Sequence, residues 1–551
     1  MEHNVHNDSS PSADTPAEAV DETAVAEQEV PEAPTNEMRR RVAKLHETRD
    51  KARQMGGEAK IARQHGRNKL TARERIDQLV DEGTFLELGI QATEYEDRLI
   101  PADGVVTGIG KIDGRYACIA AYDFTVLGGS IGMMGERKVT RLRELALRDR
   151  IPMVWLVDSA GARIDPRPDN ADKIPMFTDS GYLFREQVTM SGVIPQVAAM
   201  MGPGMAGTAY IPGLADFVPM VSKTSSMALA GPALVKAAVG EDIDENTLGG
   251  SHVHNRQSGC ADQEHASDPE CIEAIKKYLS FFPPSCLDKP PIFEDAPGKG
   301  LIDDAILDVL PDDTRFTYDV RKVIPFIADD ADFFEMKPLY AKSMVTGLCR
   351  IGGYPVGVVA NNPKYLGGVL NSEASYKAAR FVSLCDAFNI PLLFLVDVPG
   401  FIVGSHAEAG GIINHGSRML FEVARATVPK FTVITRKAYG AGYYVMCGKA
   451  FEPDLIVAWP TAEISVMGPE GMIGIAAGKL FDGMTEEQAA PMKAQMIEVI
   501  KGYITPEAVA RRAFIDDIID PRETRDVLIT GLEMTRNKQV ERPWRRHLVT
   551  P

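Results

Sequence analysis

The sequence predicts an α/β protein made of two similar domains in tandem, and an internal repeat is the main evidence. Leu127-Gly128-Gly129 recurs 239 residues later as Leu366-Gly367-Gly368. Further matches follow in the same order at nearly the same offset: Ile151-Pro152 with Ile390-Pro391, Leu156-Val157-Asp158 with Leu395-Val396-Asp397, Gly161 with Gly400, Pro195 with Pro429, Gly207 with Ala441, Asp216 with Asp454, and Gly231-Pro232 with Gly468-Pro469. Ordered matches of this kind indicate a duplicated domain.

Apolar runs that end in small-residue turns are the second observation. Ile151–Val157 is continuously apolar and is followed by Asp158-Ser159-Ala160-Gly161. Such a run is typical of a strand buried on both faces of a parallel sheet. Gln196–Met201 and Phe431–Thr435 are equivalent runs in the two repeats, and each leads into a turn and a helix-compatible segment. We therefore expect parallel strands with crossover helices in both domains.

The 551 residues are divided by composition into three segments. Residues 1–36 are acidic and contain no aromatic residue, which predicts a disordered tail. A single core rarely exceeds about 250–300 residues, so the rest should form at least two domains. We expect the first domain, residues 37–290, to open with a helical arm, and the second to cover residues 291–551. A proline cluster at residues 283–300 marks the join.

Charge and cysteine use exclude several classes of protein. The net charge is −17, and ten acidic residues with no Lys or Arg lie in residues 1–37, which leaves −7 for the rest. This balance does not suit a nucleic-acid partner. No secretion signal opens the sequence and no apolar run is long enough to cross a membrane, so we expect a cytoplasmic protein. The seven cysteines form no C-x-x-C pair, which favours reduced thiols.

The two repeats carry matching small-residue turns that are suited to hold a negatively charged oxygen. Gly202–Thr208 follows the first apolar run and Lys437–Gly442 the second. Small residues let a carbonyl oxygen approach the backbone, and a helix that starts there has unpaired N–H groups. Together they would form an oxyanion hole without charged side chains. A plain packing turn explains the same residues, and the two interpretations remain open at this point.

Other candidate residues give weaker signals. His252 and His254 have no evident third metal ligand, so we expect no metal site. Asp158 and Asp397 end apolar runs, where such acids usually cap the next turn. The Met492-Lys493 pair lies in a helix-prone stretch, which argues against a biotin attachment site on this chain. The sequence contains neither a G-x-x-x-x-G-K-[ST] phosphate loop nor a G-x-S-x-G elbow.

Five ordered motifs make the sequence similar to a known family. It resembles the carboxyltransferase β subunits of biotin-dependent acyl-CoA carboxylases, such as the propionyl-CoA and methylcrotonyl-CoA enzymes, over roughly residues 38–545. The motifs are Asp123–Ser130 (DFTVLGGS), Asp158–Ile164 (DSAGARI), Leu248–Gly259 (LGGSHVHNRQSG), Lys437–Met446 (KAYGAGYYVM) and Ala458–Gly468 (AWPTAEISVMG).

The resemblance implies a fold and an assembly. Each domain should be a crotonase-like ββα superhelix, and the chain should form a homohexamer. The first domain would bind acyl-CoA, and biotin, carried on a separate α subunit that holds the biotin carboxylase and carrier functions, would meet the second domain. Active sites would lie between the first domain of one copy and the second of another.

The resemblance also implies site residues. The hole for the thioester oxygen falls on Ala206 and Gly207, and the hole facing the biotin ureido oxygen falls on Ala441 and Gly442. Ser159-Ala160-Gly161-Ala162-Arg163 matches a segment beside the CoA pocket. In the implied chemistry the first hole stabilises an enolate oxygen and the second stabilises negative charge on biotin.

Two departures from the family pattern stand out. The family turn G-P-C-A-G-G-A is here G-P-G-M-A-G-T, with Ala206 in place of a glycine. Tyr444 stands where propionyl-type members commonly carry Asp, near the acyl pocket, so propionyl-CoA is not assumed as the substrate.

The sequence leaves three alternatives to this assignment. The first is the carboxyltransferase subunit of a decarboxylase of the glutaconyl-CoA type. The second is a crotonase-type hydratase or isomerase, which the absence of paired carboxylates near Ala206 and Ala441 disfavours. The third is a non-catalytic β subunit that acts as a scaffold.

Overall fold

The computed structural model describes residues 36–94, 99–163, 182–313, 316–543 and 549–551. The chain divides into two compact units, residues 1–48 and 49–551. Every strand of the described chain belongs to the second unit. The acidic tail predicted for residues 1–36 lies outside the described residues except for Asn36.

The strands form two eight-stranded sheets, one in each half of the chain. The first sheet contains β1 (Leu86–Leu88), β2 (Val105–Ile112), β3 (Arg115–Tyr122), β4 (Met153–Ser159), β5 (Gln196–Met205), β6 (Pro219–Val221), β7 (Ser226–Ala228) and β8 (Gln263–His265). The second contains β9 (Phe333–Met336), β10 (Met344–Ile351), β11 (Tyr354–Asn361), β12 (Leu392–Val398), β13 (Lys430–Tyr439), β14 (Leu455–Ala458), β15 (Glu463–Ser465) and β16 (Asp517–Ile518).

Helices connect and cover the strands. Before and within the first sheet they are α1 (Glu37–Arg53), α2 (Glu58–His65), α3 (Ala72–Leu79), α4 (Met133–Asp149), α5 (Tyr182–Met190), α6 (Gly207–Leu214), α7 (Pro232–Val239), α8 (Glu245–Gly249), α9 (Ser251–Arg256) and α10 (Asp268–Phe281). The others are α11 (Ile324–Ile327), α12 (Ser372–Ala387), α13 (Ser405–Ala409), α14 (Ile412–Arg425), α15 (Gly440–Val445), α16 (Pro469–Ala476), α17 (Glu486–Lys501), α18 (Pro506–Ala510) and α19 (Thr524–Thr535). None of these described helices is both long and apolar enough to cross a membrane.

Strand pairing confirms the duplication. In the first half an antiparallel pair, β2–β3, continues into parallel strands β4, β5 and β6; in the second half β10–β11 continues into β12, β13 and β14. Both sheets also break register at the same place, between Val157 and Ser159 and between Val396 and Val398. Each break lies at the aspartate that the repeat places at the end of the strand.

Local sequence signals explain where several helices begin. Thr71 caps α3 through a reciprocal capping box with Glu74, which satisfies amide groups at the start of that helix. Gly231-Pro232 and Gly468-Pro469, a matched pair of the repeat, begin α7 and α16. Proline suits the first helical position because its missing N–H would have no partner there.

One local prediction was wrong in its extent. The sequence placed Gly202–Gly204 and Lys437–Tyr439 in turns, whereas both belong to strands, β5 and β13. Short extra strands explain the difference, because β7 pairs with Pro203–Met205 and β15 pairs with Lys437–Tyr439. The turn therefore starts later than expected, at Ala206 and at Gly440.

The two halves meet through aromatic and charged contacts. Phe217 and Tyr278 of the first half stack with ring centroids 4.5 Å apart, and Phe334 of the second half lies 5.5 Å from Phe217. Lys337 Nζ lies 2.9 Å from the buried Asp262 carboxylate. The proline-rich residues 283–300 contain neither helix nor strand, and the domain boundary predicted at residue 290 falls within them.

Candidate active site

Three turns come together at the same place in each half, and we call these places the first and second corners. The first corner comprises Leu127–Gly129, Ser159–Arg163 and Ala206–Gly207; the second comprises Leu366–Gly368, Pro399–Gly400 and Gly440–Gly442. An isolated parallel bridge closes each corner, between Ile131 and Ala162 and between Leu370 and Phe401. The equivalent turns of the repeat are therefore neighbours in space in both halves.

Glycine is required where these turns touch. A Cβ on Gly129 would lie 2.3 Å from the carbonyl oxygen of Asp158, and one on Gly368 would lie 2.6 Å from that of Asp397. Real Cβ atoms do not approach oxygen so closely, and both glycines have positive φ. The repeated Leu-Gly-Gly motif is thus explained by packing of one turn on the next strand end.

The turn after β4 lies directly against the end of β5. Gly161 has φ +97°, and a Cβ there would lie 2.8 Å from the carbonyl oxygen of Met205. The buried Ser159 hydroxyl accepts a hydrogen bond from the Gly161 N–H (3.2 Å), and the Ala160 N–H donates to the Gly128 carbonyl (2.9 Å). These bonds fix the turn with Ala160 and Ala162 exposed.

The two amides predicted for the thioester hole, those of Ala206 and Gly207, differ in their hydrogen bonding. The Ala206 N–H donates to the carbonyl of Ala228 (3.0 Å), because β7 runs beside this point. The Gly207 N–H, the first of α6, has no backbone or side-chain acceptor among the described residues. Ala206 is held at φ 54°, an uncommon conformation for a non-glycine residue. The structure thus leaves Gly207, and not Ala206, with an amide available at this corner.

At the second corner Ala441 is exposed and Gly442 is buried. Ala441 and Gly442 lie in the first turn of α15, and within the described chain neither N–H has an acceptor. Gly440 reaches this turn with φ +56°. A Cβ on Gly442 would lie 2.8 Å from Val398 and 3.2 Å from the Cα of Gly400, so the helix start is packed against the strand end as in the first half.

The Arg163 side chain points into the protein, where its ion pairs and hydrogen bonds stabilise the fold. Its Nη1 lies 2.7 Å from Glu94 and 2.8 Å from Asp103, and its Nη2 donates to the carbonyls of Asp103 and Ser130. Only 7% of its side chain is exposed. The guanidinium therefore anchors the Ser159–Arg163 turn and is not presented to a ligand.

The two aspartates at the strand ends are buried ion-pair partners and not turn caps. Asp158 lies 2.7 Å from Lys69 Nζ and 3.0 Å from Arg75 Nη1, and all three side chains are almost fully buried. Asp397 lies 2.9 Å from Arg436 Nε and accepts the Lys437 N–H at 3.2 Å. Burial raises the pKa of Asp397, against the lowering effect of Arg436.

Two tyrosines frame the second corner. The buried Tyr439 donates from its hydroxyl to Glu463, and burial together with this bond raises its pKa above the usual range. Tyr444, on α15, is 47% exposed and has its ring 6.4 Å from that of Phe451. Tyr444 therefore presents a flat, uncharged surface where the sequence predicts the acyl pocket.

Hydrogen bonds within the first half occupy His254, one of the two histidines considered as metal ligands. Both ring nitrogens of His254 are bonded, one to the Ser258 hydroxyl and the other to the Met227 carbonyl, and burial lowers its pKa. In the part of the chain that the structure describes, no group of three or more His, Cys, Asp or Glu side chains is arranged to hold a metal ion.

Sequence reasoning missed the cations Lys69 and Arg75 and the Tyr439–Glu463 bond. Lys69 is 89 residues from Asp158 in sequence, and no local pattern connects them. The repeat contains one usable signal: Arg436, which pairs with Asp397, stands opposite Gly202, so the first half needs a cation from elsewhere.

Comparison with known proteins gives the geometry a context. The carboxyl transferase domain model matches residues 63–550. The chain is 39% identical to the methylmalonyl-CoA decarboxylase subunit alpha of Veillonella parvula, over 91% of this chain and 97% of the relative. It is 40% identical to the propionyl-CoA carboxylase beta chain of Roseobacter denitrificans, over 91% and 98%.

A solved structure matches nearly the whole fold. The transcarboxylase 12S structure, described as a hexamer assembly with methylmalonyl-coenzyme A and methylmalonic acid bound, superposes with a TM-score of 0.87. It is 39% identical and covers 94% of this chain and 99% of that one. The match, with the two duplicated sheets, confirms the predicted fold of two crotonase-like domains.

Proposed function

Because this chain belongs to the carboxyl transferase domain family, we propose that it transfers a carboxyl group from biotin held on a separate protein to the α-carbon of an acyl-CoA. The observation that supports the proposal most is the pair of equivalent corners. Each corner has, at the start of a helix, amide groups without an acceptor among the described residues, and glycine-tight packing fixes the turns around them.

The first corner suits the oxygen of a thioester. The Gly207 N–H and the α6 dipole would stabilise negative charge that develops on that oxygen when the α-proton is lost. Ser159, Ala160, Gly161 and Ala162 form the wall beside it, with Arg163 fixing the wall from below. Ala206 contributes shape and places Gly207, since its own amide is bonded to Ala228.

The residues of the second corner fit a biotin ring. A Cβ on Gly367, Gly400 or Gly404 would meet no atom within 4 Å, so the surface in front of the corner is open. The Ala441 and Gly442 N–H groups would donate hydrogen bonds to the ureido oxygen and stabilise charge on it. Biotin, when bound, supplies the carboxyl group and a basic nitrogen; the chain contributes positioning and fixed dipoles.

Decarboxylation is the second candidate function. The relative from Veillonella parvula is named a methylmalonyl-CoA decarboxylase subunit at 39% identity, as near as the named carboxylases. The chemistry at the two corners would be the same in reverse. The identity of the partner distinguishes the two functions. A biotin carboxylase as partner indicates carboxylation, and a membrane-bound decarboxylase component indicates decarboxylation.

Assembly and partners extend the proposal. We infer a homohexamer in which residues 37–290 of one copy bind acyl-CoA and residues 291–551 of another meet the biotin carrier, with an α subunit as the partner. This follows the transcarboxylase 12S match. All seven cysteines are unpaired, which suits the cytoplasm.

A direct assay tests the function. The purified protein is combined with a carboxylated biotin carrier from the partner subunit and a panel of acyl-CoAs from acetyl to long chain. We expect carboxylated product from at least one member, and Tyr444 to influence which. No transfer in either direction with a carrier that is competent toward another carboxyltransferase would favour the scaffold alternative.

A further inference from the structure

The two corners neutralise equivalent aspartates by different means. In the second half the cation belongs to the sheet itself: Arg436, within β13, binds Asp397 at 2.9 Å. The equivalent residue of β5 is Gly202, which has no side chain. In the first half Lys69 and Arg75, from the segment that precedes the sheet, bind Asp158 instead.

Steric packing shows that the two arrangements, a cation on the strand and a cation from the preceding segment, exclude one another. A Cβ on Gly202 would lie 1.8 Å from Asp158 Oδ1 and 2.7 Å from Lys69 Nζ. The position that a strand-borne arginine would occupy is thus filled by the Lys69–Asp158 pair. The first half therefore takes its cations from the segment before the sheet, whereas the second half takes its cation from β13.

Arg75 extends this connection to the strand that ends at the first corner. Its Nη2 donates to the Met201 carbonyl of β5 (3.1 Å), and its Nε lies 2.7 Å from Asp268 of α10. Gln64 adds a third bond to Asp158, at 2.9 Å. The end of β4, the middle of β5 and the start of α10 are therefore held by one buried cluster.

We propose that Lys69 and Arg75 are positioning residues for the acyl-CoA side of the transfer, as Arg436 is for the biotin side. This inference rests on the proposed function. Asp158 is followed directly by Ser159–Gly161, and Gly161 contacts Met205, two residues before Gly207. Without Lys69 the buried Asp158 carboxylate keeps, among the described residues, only Arg75 as a cation, and Asp268 shares that cation. The partly uncompensated charge shifts this turn and the Gly207 amide.

The test separates the two sides of the reaction by their kinetic constants. Lys69→Met should raise the KM for acyl-CoA or lower kcat by about 10- to 100-fold while the KM for the biotin carrier stays within about twofold, since small displacements of a positioned group cost this much. Arg436→Met should instead raise the KM for the biotin carrier or lower kcat, while the KM for acyl-CoA stays within about twofold. Lys60→Met, an exposed lysine of α2, serves as the matched control and should leave both constants unchanged.

A second variant covers the case in which Lys69→Met does not fold. The double variant Asp158→Asn/Lys69→Met carries neither buried charge, and Asn keeps the size of Asp, so it should fold and regain acyl-CoA binding to within about threefold of the wild type. Two results would overturn the inference. One is a double variant that binds acyl-CoA as poorly as a folded Lys69→Met variant does. The other is an equal effect of Lys69→Met on acyl-CoA and on the biotin carrier.

Failure of the proposed function is a distinguishable result. A wild-type protein that transfers no carboxyl group contradicts that function alone. Calorimetric titration with coenzyme A, the part that all acyl-CoAs share, then tests the inference by itself. Weakened binding in Lys69→Met with normal binding in Arg436→Met supports it, and binding as in the wild type in both variants overturns it.

Discussion

Gly442 lies so close to Val398 that a Cβ on residue 442 would be 2.8 Å from the valine Cγ2. This contact sets the position of the first turn of α15, and with it the Ala441 and Gly442 amides. We predict that Gly442→Ala displaces the turn and lowers carboxyl transfer by about 100-fold, the usual cost of losing one oxyanion donor.

The readout for this variant is steady-state transfer together with acyl-CoA affinity. Because the substitution lies at the biotin side, acyl-CoA should bind as in the wild type. Gly474→Ala on α16, where a Cβ meets nothing within 4 Å, is the control and should transfer normally. Equal losses of carboxyl transfer in Gly442→Ala and Gly474→Ala would contradict a role for Gly442 in the site.

Gly207 offers the matching test at the acyl-CoA side. A Cβ there would make an ordinary contact, 3.7 Å from Phe184, so the fold should accept a side chain. We predict that Gly207→Val abolishes transfer with the oligomeric state unchanged, because the branched side chain crowds the free amide. Gly213→Val, in the same helix with open space around it, should retain activity; normal turnover in Gly207→Val would contradict the assignment.

Tyr444 should determine acyl specificity and not stability. It is 47% exposed, and its ring centroid lies 5.8 Å from that of Tyr443 and 6.4 Å from that of Phe451. We predict that Tyr444→Asp changes the ratio of kcat/KM between short and long acyl-CoAs by about tenfold, since such pockets discriminate by roughly 1–3 kcal/mol. The melting temperature should stay the same. An identical substrate profile would place Tyr444 outside the pocket.

Lys377 makes the stability of the protein depend on pH. Burial lowers the pKa of this lysine from 10.5 to about 7, and its Nζ donates to the carbonyls of Lys337 and Tyr340. Between about pH 7 and 10.5 the unfolded chain therefore binds a proton that the folded chain does not, and stability rises with pH.

The corresponding measurement is the urea unfolding midpoint from pH 7 to 10. The unfolding midpoint of the wild type should rise more steeply with pH than that of Lys377→Met. The variant lacks the contribution of Lys377, while other lysines with a lowered pKa, such as Lys138, remain. A substitution at the exposed Lys60 should preserve the wild-type slope. Parallel curves for the wild type and Lys377→Met would contradict the lowered pKa.

The duplicated architecture was predictable because local sequence patterns indicate it. The Leu-Gly-Gly turns, the apolar strands and the Gly-Pro helix starts recur at one spacing, and the sheets repeat in the same order. The extension of β5 through Gly202–Met205 was not predictable, since it depends on pairing with β7 more than twenty residues later.

Long-range contacts also explain what sequence reasoning missed in the site. Ala206 looked equivalent to Gly207 as an amide donor until the structure placed Ala228 beside it. The resemblance placed Arg163 beside the CoA pocket, yet Glu94 and Asp103 surround its guanidinium. Which groups face a cleft is decided by tertiary packing, which the order of residues along the chain does not specify.

The most direct test of the two-corner account is a structure of the assembled protein with a non-hydrolysable acyl-CoA analogue bound. The distance to measure is from the Gly207 amide nitrogen to the oxygen that replaces the thioester carbonyl oxygen. The account predicts about 2.7–3.1 Å, the range of an oxyanion-hole hydrogen bond. An acyl group bound elsewhere, with the Gly207 amide covered by packing from a neighbouring copy, would contradict it.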